Sequence, residues 1–297
     1  MARLPTFFVA GAGKAGTTSL HSYLGQHPQV FMSAVKEPCY FSDEIRLGRR
    51  SDAFEKHRGR GVTRDLDAYA GLFDNVRDET AIGESSASYL WSATAAANIG
   101  AAIPDAKIIL ILRDPAERAF SQYLHQVAVG FTRRSFREHL EECHRADRSE
   151  LSIYHPFLEA GLYAAQVRRF FEVFPRRQIR IYWYEDAWRD TAAFFRDVFA
   201  FLEVDSDFQV DTSARMLERR SPRAVGAHYW LKKTNLWYPL RSAVPERLRR
   251  RMSAAFFRKG KALRMDARDR QTLIDYYRAD VGELAAMLDR DLGAWLR

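Results

Sequence analysis

The segment Gly11-Ala-Gly-Lys-Ala-Gly-Thr-Thr-Ser19 constrains this chain more than any other part of it. It lies between an apolar run, Thr6–Ala10, and a stretch of helical periodicity from Thr17 to Gln26. A glycine-rich turn joining a strand to a helix leaves backbone N–H groups and the helix N-terminus facing outward, so it favours a bound anion. Gly11, Gly13 and Gly16 permit positive φ or close approach of a diester. Lys14 adds a point charge, and Thr17, Thr18 and Ser19 offer hydroxyls beside free N–H groups. The order is not that of a Walker A loop, GxxxxGK[ST], because Thr17 follows Gly16 and the lysine stands two residues before it. An ordinary capped strand-to-helix turn is the bland alternative; against it stands the convergence of lysine, glycines and hydroxyls within nine residues.

Three more apolar runs, Thr80–Gly83, Lys107–Leu112 and Gln178–Trp183, are each followed by a turn and a helix-like segment. That alternation predicts an α/β three-layer sandwich, a central parallel sheet with helices on its faces. Asp114 and Pro115 form a cap and first-turn pair ahead of a helix over 116–129, and another helical pattern, 161–174, ends just before Pro175. The polar stretches 43–65 and 203–222 read as long surface excursions, which on such folds often cover a site. From Pro245 onward the pattern is helical, with amphipathic candidates at 246–259 and 266–296. At 297 residues the chain fits a single domain, 1–297, with a helical carboxyl-terminal portion from about 224 to 297.

Cys39 and Cys143 have no partner spacing that suggests a disulfide scaffold or a zinc site, and no other metal-binding constellation is legible. The net charge of +8 is carried mostly by arginine, with lysine contributing only 8 of 46 basic residues. Arginine suits bidentate capture of phosphate or sulfate, although a G- and C-rich genome would also favour its codons. Arg247, Arg249, Arg250 and Arg251 read as a solvated helix face in preference to a nucleic-acid or lipid contact. No run approaches 18 uncharged apolar residues and the start lacks a cleavage-site pattern, so the expectation is a cytoplasmic protein without a transmembrane segment.

The segment FFVAGAGKAGTTSLHSYLGQHPQV resembles the 5′-phosphosulfate loop of sulfotransferases that use 3′-phosphoadenosine-5′-phosphosulfate (PAPS), whose pattern is K-x-G-T-[ST]-x-L followed by a helix and HP. Lys14, Gly16, Thr17, Thr18, Leu20, His27 and Pro28 match it. The likeness is greatest to the branch of heparan sulfate N- and O-sulfotransferases and their bacterial relatives, which continues with an acidic motif before an aromatic pair. Lys36-Glu-Pro-Cys-Tyr-Phe41 stands in that place. The run ILILRDPAERAFSQYLH resembles the family's 3′-phosphate motif, with Arg113 closing a strand and Ser121 on the next helix. Ser121 lies roughly 9–10 Å along that helix by axial rise. Residues 82–90 resemble the pattern GE-[KS]-[ST]-P-x-Y through Glu84 and Ser86; Ala87 replaces the proline, and Ser85 stands where several glycan-modifying relatives carry lysine. A later match normally ends in FLG, and here Glu203 takes the place of the glycine.

The resemblance implies a P-loop-like phosphosulfate-binding loop made by Lys14, Ala15, Gly16, Thr17, Thr18 and Ser19. It places Arg113 and Ser121 at the 3′-phosphate, with Arg223 beside them in a late basic loop. Lys14 would stabilise the leaving oxygen and Glu37 would act as general base, with Glu84 its rival. Arg113 has a structural alternative, pairing with Asp114 or Glu117. PAPS is then the co-substrate, no metal is required, and the acceptor is a small molecule, lipid or glycan. A P-loop nucleotide kinase would need the GK[ST] order and a strand-end aspartate for magnesium, whereas Arg113 precedes Asp114 here. A basic nucleic-acid or lipid-binding module would not depend on Lys14.

Overall fold

The computed structural model describes residues 3–47, 63–145, 156–213, 221–222, 257–258 and 264–297. Five parallel strands form the central sheet: β1 (Phe7–Gly11), β2 (Val30–Met32), β3 (Ala81–Ser85), β4 (Lys107–Leu112) and β5 (Ile179–Trp183), in the order β2-β3-β1-β4-β5. The inner strands β1 and β3 are buried throughout, and β4 is buried from Ile108 on, as near-continuous apolar runs covered on both faces must be. Phe8 pairs with Glu84 on one side and Ile108 on the other, which fixes the register at the middle of the sheet.

The helices are α1 (Thr17–Leu24), α2 (Asp43–Arg46), α3 (Leu66–Ala70), α4 (Ala95–Ala102), α5 (Pro115–Ala128), α6 (Phe136–Arg145), α7 (Tyr163–Val173), α8 (Tyr184–Ala187), α9 (Thr191–Leu202) and α10 (Ala267–Leu288). From β1 the chain moves outward to β2 and β3, then returns past β1 to β4. Right-handed crossovers therefore put α1 on one face and α4, α5 and α7 on the other. Ring contacts between Tyr23 and Phe195 at 5.9 Å, and between His27 and Phe199 at 4.6 Å, hold α9 against α1. On the opposite face α10 packs on α5 and α7, and Asp280 caps α7 by accepting from the N–H groups of Tyr163 and Ala164. Three layers result, and the strand order reverses direction at β1 and β4, where such folds bind ligands beyond the carboxyl ends of their strands.

The local chemistry explains most boundaries. Asp114 accepts from the N–H groups of Ala116 and Glu117 with Pro115 in the first turn, so α5 starts where a cap and a pre-set φ coincide. The first helix stops at Leu24, two residues short of the expected end, because Gly25 caps it and His27 locks the next turn. His27 Nδ1 accepts from the Gln29 N–H, so its Nε2 carries the proton and donates to the Asp205 carbonyl, tying α1 to the segment after α9.

Three elements depart from the expected pattern. The three-residue β2 and the alanine-rich α4 were not anticipated, and α6 is a strongly polar helix buried only along Phe136, His139, Leu140 and Cys143. Of the helix expected over 246–259 only Phe257–Arg258 is described, and those residues form a strand pairing antiparallel with Ser221–Pro222. Most of the expected excursion 43–65 lies outside the described residues, although it begins with the single turn α2.

Candidate active site

The loop after β1 is bound to the sheet on both sides. The Ala12 N–H donates to the Ile111 carbonyl at 2.7 Å, and the Leu90 N–H donates to the Ala10 carbonyl at 2.8 Å. Two of its glycines are sterically required. A Cβ on Gly11 would lie 2.5 Å from Leu90 Cβ, and one on Gly16 would lie 2.9 Å from Trp188 Nε1, at a φ of 86° that L side chains seldom adopt. Gly16 is the N-cap of α1 and offers no side chain to its first turn, so the leading N–H groups of that helix have no side-chain cap. Ala15 and Thr17 are buried, whereas Thr18 and Ser19 are half-buried.

Lys14 occupies the left-handed region at φ 70°, a conformation that costs a lysine about 1–2 kcal/mol. Burial pulls its ammonium down to about 8; Glu37 opposes that shift, while Arg113, Lys36 and Arg118 add to it. The ammonium is therefore a crowded cation that a bound anion would relieve. Arg113, 6% exposed at the end of β4, donates from Nη1 to the Lys14 carbonyl at 3.1 Å, and its guanidinium lies 4.6 Å over the Tyr184 ring. Pairing within its own motif does not consume it. Glu117 is 3.6 Å away, Asp114 is engaged as a helix cap and by Arg270 at 2.9 Å, and Arg113 Nε is buried without a partner.

Beyond β3 the arrangement is different. Glu84 is fully buried, and its carboxylate accepts from the hydroxyls of Ser86, Tyr69 and Tyr89, the last two at 3.0 and 2.7 Å. Burial raises its pKa to about 7; the three hydroxyls oppose the shift and the Glu37 charge adds to it. The same hydroxyls reach further. Ser86 Oγ accepts from the Cys39 N–H at 3.1 Å and Tyr89 Oη from the Phe41 N–H at 3.3 Å, while the Glu37 N–H donates to the Ser85 carbonyl at 2.8 Å. Glu84 thus sits at the root of the turn that carries Glu37. In that turn Glu37 and Cys39 both hold φ at 58°, and the Glu37 carboxylate pairs with Lys36 at 2.7 Å.

The sheet thus brings Lys14 to Gly16, Arg113, Glu37 and Glu84 to the carboxyl ends of β1, β3 and β4. Ser121 is half-buried on α5, and the backbone of Ser221–Pro222 lies against that helix, while Arg223 lies outside the described residues. Phe41 and Tyr89 belong to the core around Phe8, whereas Tyr40 stacks on Tyr69 at 4.6 Å at its margin. Glu185 accepts from the Asp114 N–H at 3.3 Å, and Asp186 pairs with Arg189 and Arg290. Tyr184 and Trp188, which wall the loop from α8, were missed by motif reading; the signal was their place just past the carboxyl end of β5. Among the described residues no group of three or more His, Cys, Asp or Glu is arranged to hold a metal ion, and no helix is long and apolar enough to cross a membrane.

A family model described as the sulfotransferase family matches residues 5–208. Human bifunctional heparan sulfate N-deacetylase/N-sulfotransferase 3 is 31% identical over 210 residues, covering 68% of this chain and 22% of that protein. Mouse carbohydrate sulfotransferase 15 is 28% identical over 247 residues, covering 68% of this chain and 44% of that protein. The chain therefore spans less than half the length of these curated relatives. A crystal structure of a sulfotransferase from Alicyclobacillus acidocaldarius superposes with a TM-score of 0.77 at 33% identity, covering 99% of this chain and 100% of that one.

Proposed function

The chain belongs to the sulfotransferase family, and on that premise we propose that it transfers a sulfuryl group from PAPS to a hydroxyl or amine of a small-molecule, lipid or glycan acceptor by in-line displacement. The observation that carries the reading is the under-partnered cationic crevice at β1 and β4. Lys14 is held charged against its own desolvation, Arg113 Nε is buried without a partner, and the first turn of α1 is uncapped by any side chain. Groups left wanting in this way fit a polyanionic ligand.

When bound, PAPS supplies an activated sulfuryl group on a bisphosphate leaving group. We assign its 5′ end to Lys14, Ala15, Gly16, Thr17, Thr18 and Ser19, and its 3′-phosphate to Arg113 and Ser121, with Arg223 joining them. Lys14 stabilises negative charge as it develops on the departing oxygen, an interaction stronger in the transition state than before it. Glu37 takes the acceptor's proton as the new bond to sulfur forms. Glu84 is closed off by three hydroxyls, so its role is to position the turn bearing Glu37. Lys14 and Arg113 supply the positive charge that phosphotransferases draw from magnesium, so binding is expected without a metal.

Calorimetric titration with 3′,5′-bisphosphoadenosine tests this reading, with Mg·ATP and 5′-AMP as controls and EDTA present in one arm. Binding that persists in EDTA, needs the 3′-phosphate and weakens at least tenfold in Arg113→Ala is expected. Preference for Mg·ATP, or no binding of the bisphosphate, overturns it.

A further inference from the structure

The family match ends at residue 208, yet helix α10, well beyond it, reaches the donor site through one side chain. Arg270, in the first turn of α10, divides its guanidinium among three groups. Nη2 donates to Asp114 Oδ2 at 2.9 Å, Nε donates to the Arg297 carbonyl at 2.8 Å, and Nη1 stands 3.7 Å from Glu117 Oε1. A planar fork serves acceptors in several directions at once, which a single ammonium cannot do. The two carboxylates it engages both flank Arg113: Asp114 follows it directly, and Glu117 lies four residues on. Asp114 gives its other oxygen to the N–H groups of Ala116 and Glu117, so both of its oxygens are occupied without Arg113. Glu117 hangs between two guanidiniums at nearly equal distance, 3.6 Å from Arg113 Nη2 and 3.7 Å from Arg270 Nη1, longer than a hydrogen bond on either side. The same helix also holds the main chain of Arg113: Asp280 accepts from the Tyr163 N–H, and the Tyr163 hydroxyl donates to the Arg113 carbonyl at 3.0 Å.

We infer that Arg270 is a positioning residue of the donor site: by drawing Asp114 and Glu117 toward α10 it keeps the Arg113 guanidinium open to the 3′-phosphate. The inference rests on the donor assignment above and adds to it a residue that acts through Arg113. With Arg270 removed, Glu117 loses one of its two guanidiniums, and an arginine and a glutamate four residues apart close readily into a direct pair. The carboxylate is the partner with room to move, since the Glu117 side chain is 41% exposed and that of Arg113 only 7%. A 3′-phosphate would then have to displace that carboxylate, and it would meet the same two acidic side chains balanced by one cation fewer.

Calorimetry with 3′,5′-bisphosphoadenosine and with 5′-AMP, which lacks the 3′-phosphate, compares wild type, Arg270→Met, Glu117→Gln and the double variant. Arg270→Met should lose about tenfold in affinity for the bisphosphate, as for one hydrogen bond to a charged group, with 5′-AMP changed less than about twofold. Adding Glu117→Gln should recover most of that loss, because an amide does not compete as an anion for the Arg113 guanidinium. Damage to the packing of α10 would not be repaired in this way. Unchanged bisphosphate affinity in Arg270→Met, equal losses for both ligands, or no recovery in the double variant overturns the inference while leaving the donor assignment standing. Failure of wild type to bind the bisphosphate overturns both. Arg270→Lys keeps the test decisive if the methionine variant does not fold. One ammonium cannot bridge both carboxylates, so about threefold should be lost and again recovered with Glu117→Gln, whereas wild-type affinity in Arg270→Lys overturns the inference.

Discussion

Two neighbouring turns at the carboxyl edge of the sheet are built on opposite terms. The turn after β3 is satisfied: Glu84 receives three hydroxyl hydrogen bonds, and those hydroxyls in turn receive the N–H groups of Cys39 and Phe41. The loop after β1 is left open, with a lysine desolvated among other cations and a buried guanidinium nitrogen that has no hydrogen-bond partner. A closed polar network rigidifies, and an open one is stabilised only when something enters it. The chain thus keeps its framework and its binding surface about one strand apart. Removing a group from either turn should separate stability from function in opposite directions.

The widest separation is expected between the two carboxylates. Glu37→Gln should lower kcat by about 10²–10⁴-fold, the usual contribution of a general base, with melting temperature unchanged. Glu84→Gln should act on stability, because one of the three hydroxyls would then face an amide N–H, leaving a buried group unpaired at about 1–3 kcal/mol. The pH dependence identifies the source. With Glu84 raised to about 7 in the fold, native protein binds more protons than unfolded chain above the ordinary carboxyl range, so its stability falls as pH climbs from about 4.5 to 7. The penalty of Glu84→Gln, measured by denaturant unfolding, should therefore be larger at pH 5 than at pH 8. Equal penalties would mean that Glu84 is ionised throughout. A large kcat loss in Glu84→Gln with normal stability would reverse the two roles.

Next in size is Lys14→Met. Losing a cation aimed at the leaving group should lower kcat by about 10²–10³-fold. The unliganded variant should nonetheless melt a few degrees higher, since the fold no longer holds a desolvated cation beside Arg113, Lys36 and Arg118. Lys14 is lowered to about 8, so this cost is present at neutral pH and fades as pH rises from about 8 toward the ordinary lysine value. The stabilisation of the variant over wild type, followed by thermal melts, should shrink across that window. The affinity of wild type for 3′,5′-bisphosphoadenosine should fall there as well, by up to about tenfold per pH unit, because deprotonation removes the charge that holds the anion. An affinity flat to pH 9.5 would take Lys14 out of the anion site.

The contrast between the two turns was only half visible in the amino-acid order. Lys14, Gly16 and Arg113 could be read from local patterns at strand ends and Glu37 from the family motif alone, and a local pattern is what one-dimensional reading detects. That Glu84 is enclosed was not legible, because Tyr69 and Tyr89 reach it from different turns and Tyr69 lies 15 residues away in sequence with no motif linking them. Trp188 escaped for the same reason, since its partner is a glycine that shows its neighbour only as absent space. The sheet order was recoverable in outline from alternating apolar runs, whereas β2, three residues long, carries too little periodicity to be told from a loop.

A left-handed residue away from the crevice provides the smallest and sharpest control. Lys14, Glu37 and Cys39 hold positive φ in the two turns, but Glu203 does so at φ 61° to end α9, at the position where the family pattern has glycine. Its ion pair to Lys107 at 3.0 Å is made by a side chain 81% exposed and so contributes little. Glu203→Gly should relieve about 1–2 kcal/mol of backbone strain and lose part of that to the greater freedom of the unfolded chain, for a net rise in melting temperature of about 1–3 °C with turnover unchanged. Lys107 also lies 5.7 Å over the Phe201 ring, so a fall in melting temperature instead would show that the Glu203–Lys107–Phe201 arrangement outweighs the strain. If the melting temperature rises and turnover holds, exchanging a strained side chain for glycine at positive φ is harmless in this fold, and a loss of turnover in Lys14→Gly, which relieves the same backbone strain, belongs to the missing charge.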